Sequence, residues 1–332
     1  MIGSAVVLRV ALPAIVLAAE KIFYIGNFPV TNTFIATILA DITIIILVFF
    51  ATRKMQDVPE GFQNVMEWFL EIFYNLTEDV AGKANARTFF PWFMTILIFL
   101  LVVNWWGLVP GVDSIGVVEP LELAYEEAGI TSGYGLMSVL GIPSLDGRAP
   151  VALTEEQILE IEEAAAHGEE EAHGEEGTHG EEGGHHESAY GGYALKVFVR
   201  PAATDLNLPL ALALISVFWT QVVGVRVLGV GYFRKFLLPP LTGMKVIDAF
   251  VGILELISEF AKIISFTFRL FGNMFAGAIL LFVMTFLIPF LVPLPFYGLE
   301  LFVGFMQAFV FAILTLIFFA MAVVSHEHEG EH

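Results

Sequence analysis

Three stretches of the chain, 88–112, 206–225 and 301–325, run for twenty residues or more without an Asp, Glu, Lys or Arg. At ~1.5 Å of rise per helical residue, each can cross a hydrocarbon core about 30 Å thick. A further apolar run, 33–52, carries one acid, Asp41, partway along and closes on Arg53 and Lys54. Between 59 and 80 the pattern turns amphipathic. Phe62, Val65, Met66, Phe69, Leu70, Phe73 and Leu76 recur at helical spacing, while Glu60, Glu67, Glu71, Glu78 and Asp79 fall largely elsewhere. Pro59 suits the first turn of such a helix. Helices that lie on anionic lipid usually have a basic polar face, and this one is acidic, which predicts packing against the bundle or a partner subunit.

The run from Val246 to Ile288 is different in kind. As one helix it would be ~64 Å long, about twice the bilayer core. No Pro interrupts it, and Gly252, Gly272 and Gly277 do not form a turn cluster. It is either two spans with a tight bend or one long, steeply tilted helix. The tilted helix is preferred, because two spans would put Arg269 near a turn that lacks turn chemistry. Pro289, Pro293 and Pro295 mark a turn before a last apolar helix over about 297–325. The expected fold class is therefore an all-α polytopic membrane protein, with about five main membrane helices and a long tilted helix hairpin at the C-terminal end. Residues 1–32 are an N-terminal segment whose apolar part, 4–19, reads either as a signal peptide or as a short membrane-associated helix. Residues 33–110 hold the first two spans and the amphipathic helix 59–80, and 193–332 hold the remaining helices and the C-terminal tail.

Composition agrees with a membrane protein: 57% of the 332 residues are hydrophobic, 15% are charged, and the mean hydropathy is +0.77. The net charge of −20 misleads, because residues 151–192 contain thirteen Glu and no Lys or Arg. The acidity belongs to one loop. That loop, 111–192, includes the repeat HGEEEA, HGEEGT, HGEEGG, with His167, His173, His179 and His185 six apart. Gly, Glu and His at this density predict a largely disordered, solvated segment, favoured over a metal site. The absence of Cys excludes a disulfide framework, a thiolate metal site and a cysteine nucleophile. Loop 53–88 carries Arg53, Lys54, Lys83 and Arg87, and loop 226–245 carries Arg226, Arg234, Lys235 and Lys245. The positive-inside rule puts both in the cytoplasm, the acidic loop outside and the C-terminus in the cytoplasm.

On a 100° helical wheel the charges of 246–288 fall on one stripe. Asp248, Glu259, Lys262, Arg269 and Asn273 all lie within about 40° of Glu255, with Ser258 and Ser265 on the flank. On the last helix Glu300 and Gln307 share a face with Gly304. A buried ion-pair network accounts for the Glu and Lys residues but not for Arg269, the one charged residue between Lys262 and Glu300. A charge near the bilayer centre costs about 2.5–3.5 kcal/mol on insertion scales, and an arginine cannot shed its proton to escape that cost. Arg269 therefore points to a functional role and to a partner on another chain.

FRLFGNMFAG at 268–277, followed by MQAFVFAILTLIFFAMA at 306–322, resembles the a subunit of F-type rotary ATP synthases. VPEGFQNVMEWFLEIFYNLTEDV, FFPWFMTILIFLLVVNWWGLVPG and TDLNLPLALAL are similar to other segments of that family, so the resemblance covers most of the chain outside 111–192. It implies a non-catalytic subunit of a bacterial plasma (inner) membrane complex that carries ions, by default protons, through two half-channels beside a ring of c subunits. The other implied partners are the b subunits of the peripheral stalk, the F1 head indirectly, and lipid. No nucleic acid, cofactor or metal is expected. Arg269 matches the essential arginine that separates the half-channels and pairs with the ring carboxylate. Glu300, Asn273 and Gln307 would line the outer path, with Asp205 at its mouth. Glu255, Ser258, Lys262 and Ser265 would line the cytoplasmic one. Ala278 departs from the acid or histidine often found there in the family. A secondary transporter or another proton-pump subunit is the competing reading, but transporters typically show internal repeats and only the HGEE tract repeats here.

Overall fold

The computed structural model describes residues 19–53, 55–58, 60–109, 111–112, 115–139, 142–172, 188–233, 236, 245–287 and 293–323. Backbone polar groups inside lipid must be satisfied within their own segment, which leaves the α-helix as the spanning element for an open chain. Among the described residues, five helices are long and apolar enough to cross a membrane. They are α1 (Asn32–Thr52), α3 (Lys83–Trp106), α6 (Asn207–Leu228), α7 (Lys245–Leu287) and α8 (Pro293–Val323). The amphipathic pattern forms α2 (Phe62–Ala81). The run that admitted two readings is a single helix, α7, 43 residues long.

The chain divides into two compact units. The larger holds most of the helical membrane part. Gly82, at a φ of 76° that other residues rarely adopt, joins α2 to α3, and its N–H caps α2 at the carbonyl of Glu78 at 2.9 Å. α3 buries Phe89, Phe93, Leu97 and Leu100, and Phe93 meets Phe73 of α2 at 5.8 Å between ring centroids. α7 and α8 pack through Phe266, whose ring lies 4.7 Å from Phe311 and 5.5 Å from Phe318. Deep in the bundle, Ser216 of α6 and Thr315 of α8 share a hydrogen bond of 2.8 Å. Gly304 lets α8 approach α3 closely: a Cβ there would sit 3.3 Å from that of Asn104. Asn104 Nδ2 donates to the Gly304 carbonyl at 3.0 Å, and Trp105 Nε1 donates to the Leu301 carbonyl at 3.1 Å.

The smaller unit departs from expectation. An antiparallel hairpin of β1 (Lys21–Ile25) and β2 (Phe28–Thr31) precedes α1. Three strands within the loop expected to be largely disordered, β3 (Gly116–Pro120), β4 (Ser132–Val139) and β5 (Ile142–Ala152), join β6 (Tyr193–Val197), just beyond it, in a four-stranded sheet of order β3-β6-β4-β5. α4 (Leu121–Ala128) and α5 (Glu155–Ala172) accompany it. Leu121, Ala124, Ile130, Leu153, Ile161 and Ala194 form its buried core. Lys196 pairs with Glu119 at 3.3 Å. Here the expectation of disorder is corrected for the described residues. The apolar side chains are few, but Leu121 with Ala124, and Ile158 with Ile161, sit three apart on helices that can pool them into one core. Most of the HGEE repeat (173–187) and the apolar segment 4–18 lie outside the described residues.

Leu121 is fully buried, so Leu121→Ala should destabilise this small core by about 2–5 kcal/mol. The check is limited proteolysis with a Glu-specific protease. Cleavage within 115–172 should accelerate in the variant, while the helical content of the membrane part stays unchanged.

Candidate functional site

α7 has two faces. Phe266 and Leu270 are buried against the bundle, whereas Phe250, Ile257, Phe260, Ile264 and Phe268 are each 56–62% exposed. Large apolar side chains that open to the outside of a membrane helix meet lipid or another subunit. The polar stripe runs along the boundary between these faces. Arg269 is half-buried there, with Nη2 donating to Ser265 Oγ at 3.4 Å and the guanidinium 5.8 Å from the centre of the Phe266 ring. Among the described residues, no carboxylate lies within 4.0 Å of Arg269.

One turn further along, Asn273 Nδ2 donates to Gln307 Oε1 of α8 at 2.6 Å. Gln307 is buried, and so is Glu300, which lies seven residues earlier on the same face of α8. Gln307 Nε2 and Asn104 Oδ1 are buried with no hydrogen-bond partner among the described residues. Asn273 and Gln307 thus join α7 to α8, while Glu300 and Asn104 are two further buried polar side chains on α8 and α3.

Towards the other end of α7 the polar groups are linked to one another. Lys262 Nζ donates to Glu259 Oε1 at 2.9 Å and stands 4.6 Å above the Phe318 ring. Glu259 Oε2 accepts from Gln221 Nε2 at 2.9 Å, and Gln221 Oε1 accepts from the Tyr232 hydroxyl at 2.7 Å. Tyr232 sits in the 3-10 turn Gly229–Phe233 after α6, and its ring occupies the space a Cβ on Gly224 would need. Burial first, then the nearby Glu259 and Glu255 carboxylates, push its phenol above the ordinary value, so it remains a donor. Glu255 is half-buried one turn from Glu259, and Ser258 is exposed. Asp205 is buried but locally engaged, accepting at 3.3 Å from the Asn207 backbone N–H and at 3.2 Å from its side-chain amide at the start of α6. Ala278 is half-buried.

The structure therefore brings Arg269 to Ser265, Asn273 to Gln307 and Lys262 to Glu259. Sequence reasoning overlooked Asn104, Gln221 and Tyr232 as members of these clusters. The signal was present for two of them, since Asn104 and Gln221 are amides inside runs that hold no charge.

A helical bundle that crosses the bilayer several times and holds ionisable side chains along its packed helices is a multi-pass membrane protein of the ion-handling class. The family described as ATP synthase A chain matches residues 33–320, and the chain belongs to that family. Its relatives include the ATP synthase subunit a of Moorella thermoacetica, 26% identical over 307 residues that cover 92% of this chain and 97% of the relative. The subunit a of Helicobacter pylori strain P12 is 27% identical over 93% of this chain and 98% of its own length. That of Nitratiruptor sp. is 26% identical over 90% of both chains. The chain accordingly serves in the membrane (Fo) sector of an F-type ATP synthase.

The Tyr232–Gln221–Glu259 chain makes a direct prediction. Gln221→Leu removes two of its hydrogen bonds in a buried setting and should cost about 1–3 kcal/mol, whereas Tyr232→Phe removes one and should cost about 1 kcal/mol. Thermal unfolding of the detergent-purified variants would rank them in that order.

Proposed function

We propose that the chain carries protons across the membrane through two half-channels beside a ring of c subunits, each bearing a carboxylate, and that this flow turns the ring. The observation that carries the reading is Arg269. It is a fixed cation at the edge of an exposed apolar helix face, held by a serine and an aromatic ring rather than by an acid of the described chain. A carboxylate arriving on another subunit would supply the missing countercharge. In a low-dielectric setting that attraction is far stronger than in water. A ring carboxylate without its proton would be held at Arg269, and one that has gained a proton would be neutral and free to turn into lipid.

Glu300, Asn273 and Gln307 then form the outer half-channel. The buried, unpartnered polar atoms of Gln307 and Asn104 support this assignment, because a polar site with several such groups suits bridging water. Asp205 stands at the outer mouth. Glu255, Ser258, Lys262 and Ser265 line the cytoplasmic half-channel, where Lys262 is paired with Glu259. The subunit has no catalytic chemistry of its own. The b subunits of the peripheral stalk hold it stationary, and the F1 head receives the rotation indirectly. The membrane is the bacterial plasma membrane, with 111–192 outside and the C-terminus in the cytoplasm, as the basic residues of the two flanking loops favour.

Arg269→Ala should open a passive proton leak through vesicles that carry the membrane sector without the soluble head. A potential of 100 mV drives each charge with about 2.3 kcal/mol, so a lowered barrier would show as rapid dissipation. Arg269→Lys should cut ATP synthesis by about tenfold or more, because a lysine gives up its proton readily in an apolar site. If Arg269→Ala vesicles stay as tight as the parent and still make ATP, the arginine is structural.

Glu300 is the acid of the outer half-channel. Glu300→Gln should slow proton delivery by about 10²-fold, the typical worth of a positioned proton-transfer group, with little effect on assembly. Ala278→Glu should be tolerated and alter the pH profile modestly. ATP-driven proton pumping in inverted vesicles measures both, and near-normal pumping by Glu300→Gln would move the path elsewhere.

A further inference from the structure

A slot of about 250 Å³ opens between α3 and α6. Trp92, Ile96 and Phe99 line it from α3, Leu212, Ile215 and Trp219 line it from α6, and the buried Phe319 of α8 stands behind them. The two hydroxyls of its lining are turned to other partners. Thr95 Oγ1 donates to the Pro91 carbonyl at 2.7 Å, and Ser216 Oγ shares a hydrogen bond of 2.8 Å with Thr315 Oγ1. The slot therefore presents carbon to its contents and gives a water nothing to bond to.

One end of the slot is charged. Trp92, nine residues into α3, and Trp219, nine before the end of α6, meet there at 4.3 Å between ring centroids. Arg226 stands two turns beyond Trp219 on the same stripe of α6. Side chains on a helix lean towards its N-terminus, and that of Arg226 reaches back until the guanidinium lies 5.9 Å from the Trp219 ring centre. Arg226 is exposed, and among the described residues no carboxylate lies within 4.0 Å of it. Lys83 and Arg87 are at the same end of α3, the end that the positive-inside rule puts at the cytoplasm.

The slot runs for seven residues of each helix, ~10.5 Å. A whole helix ~10 Å across would occupy on the order of 800 Å³ over that length, so the slot suits a hydrocarbon chain instead. A neutral chain would leave Arg226 without a countercharge, and a free anion would leave the carbon-lined slot unfilled. A phospholipid with an anionic headgroup meets both needs. We propose that the slot between α3 and α6 binds one acyl chain of an anionic phospholipid of the cytoplasmic leaflet, with its phosphate on Arg226. A guanidinium can hold two phosphate oxygens at once, and the negative potential of that leaflet brings such lipids to basic residues.

The test uses the whole complex, purified and returned to vesicles with the same mixture of phosphatidylethanolamine and phosphatidylglycerol in both leaflets. Its readout depends neither on orientation nor on proton flow, so it stands apart from the half-channel reading. A small share of the phosphatidylglycerol has a photoreactive diazirine midway along one acyl chain, and its adducts are mapped by mass spectrometry. Adducts are expected within 92–99 and 212–219 in excess of those on α1. Added phosphatidylglycerol should compete for the slot and phosphatidylcholine should not. Arg226→Gln should lower slot labelling by about fivefold, the worth of one basic residue at an anionic membrane surface, while Arg226→Lys, which keeps the charge, should retain most of it. Ile215→Trp, which fills the slot from its exposed side, should remove the slot adducts and leave those on α1 unchanged. The proposal is overturned if labelling is even over all spans, if phosphatidylcholine competes equally well, or if Arg226→Gln labels like the parent. It is also overturned if a photoreactive residue placed at Ile215 captures a helix of another subunit in place of lipid.

Discussion

A guanidinium keeps its charge in every environment a protein offers, and much of this structure can be understood as accommodating one at Arg269. A lysine or a carboxylate could become neutral to avoid desolvation. An arginine in a membrane helix must be solvated by its surroundings or paired with a charge. Ser265 and Phe266 give it a hydrogen bond and an aromatic face. Neither neutralises it. Under the proposed function, a carboxylate of another subunit meets the remaining requirement, and the exposed α7 face beside Arg269 leaves room for it.

The packing around α7 follows from that need for two unlike faces. One side is anchored to α8 by the Phe266, Phe311 and Phe318 rings, so the stripe cannot rotate away from the boundary. A stacked aromatic contact contributes about 0.5–1.5 kcal/mol beyond its area burial, and these rings interlock with a bundle that also has the Ser216–Thr315 hydrogen bond at its centre. Polar groups on the packed side have been dealt with in two ways. Around Lys262 and Glu259 they are satisfied by one another through a chain that ends at Tyr232. Around Gln307 and Asn104 they are satisfied only in part. The two ends of α7 thus differ in how far their buried polar groups find partners, although both hold amides and acids.

The smaller unit obeys different rules. Its sheet and two short helices form a core of six buried residues with four more packed against it, and its strands pair in antiparallel fashion between neighbours in the sheet. A long insertion between two membrane spans costs little extra loop entropy, since closure cost grows only with the logarithm of length. Such a module can therefore be carried without disturbing the helices that flank it. Tyr125 and Tyr190 each donate to a carboxylate of α5, Glu162 and Glu160, which ties that acidic helix to the rest of the unit.

How much of this was legible in the residues alone depends on range. The five spans, the amphipathic helix between the first two and the continuity of α7 were readable because each rests on local periodicity and on the length needed to cross a bilayer. The common stripe of Glu255, Glu259, Lys262, Arg269 and Asn273 was readable too, since helical geometry fixes which residues of one helix share a face. Lys262 pairs with Glu259 three residues away on the same helix, within reach of the sequence pattern; tertiary structure alone decided that Asn273 meets Gln307 across to α8 and Glu259 meets Gln221 across to α6. Those partners lie 34 and 38 residues away for the two cross-helix bonds, and no periodicity links residues on different helices. The sheet within 111–200 was missed for the same reason. Its core is pooled from Leu121, Ile130, Leu153, Ile161 and Ala194, each unremarkable in its own segment, and only their meeting in space makes them a core.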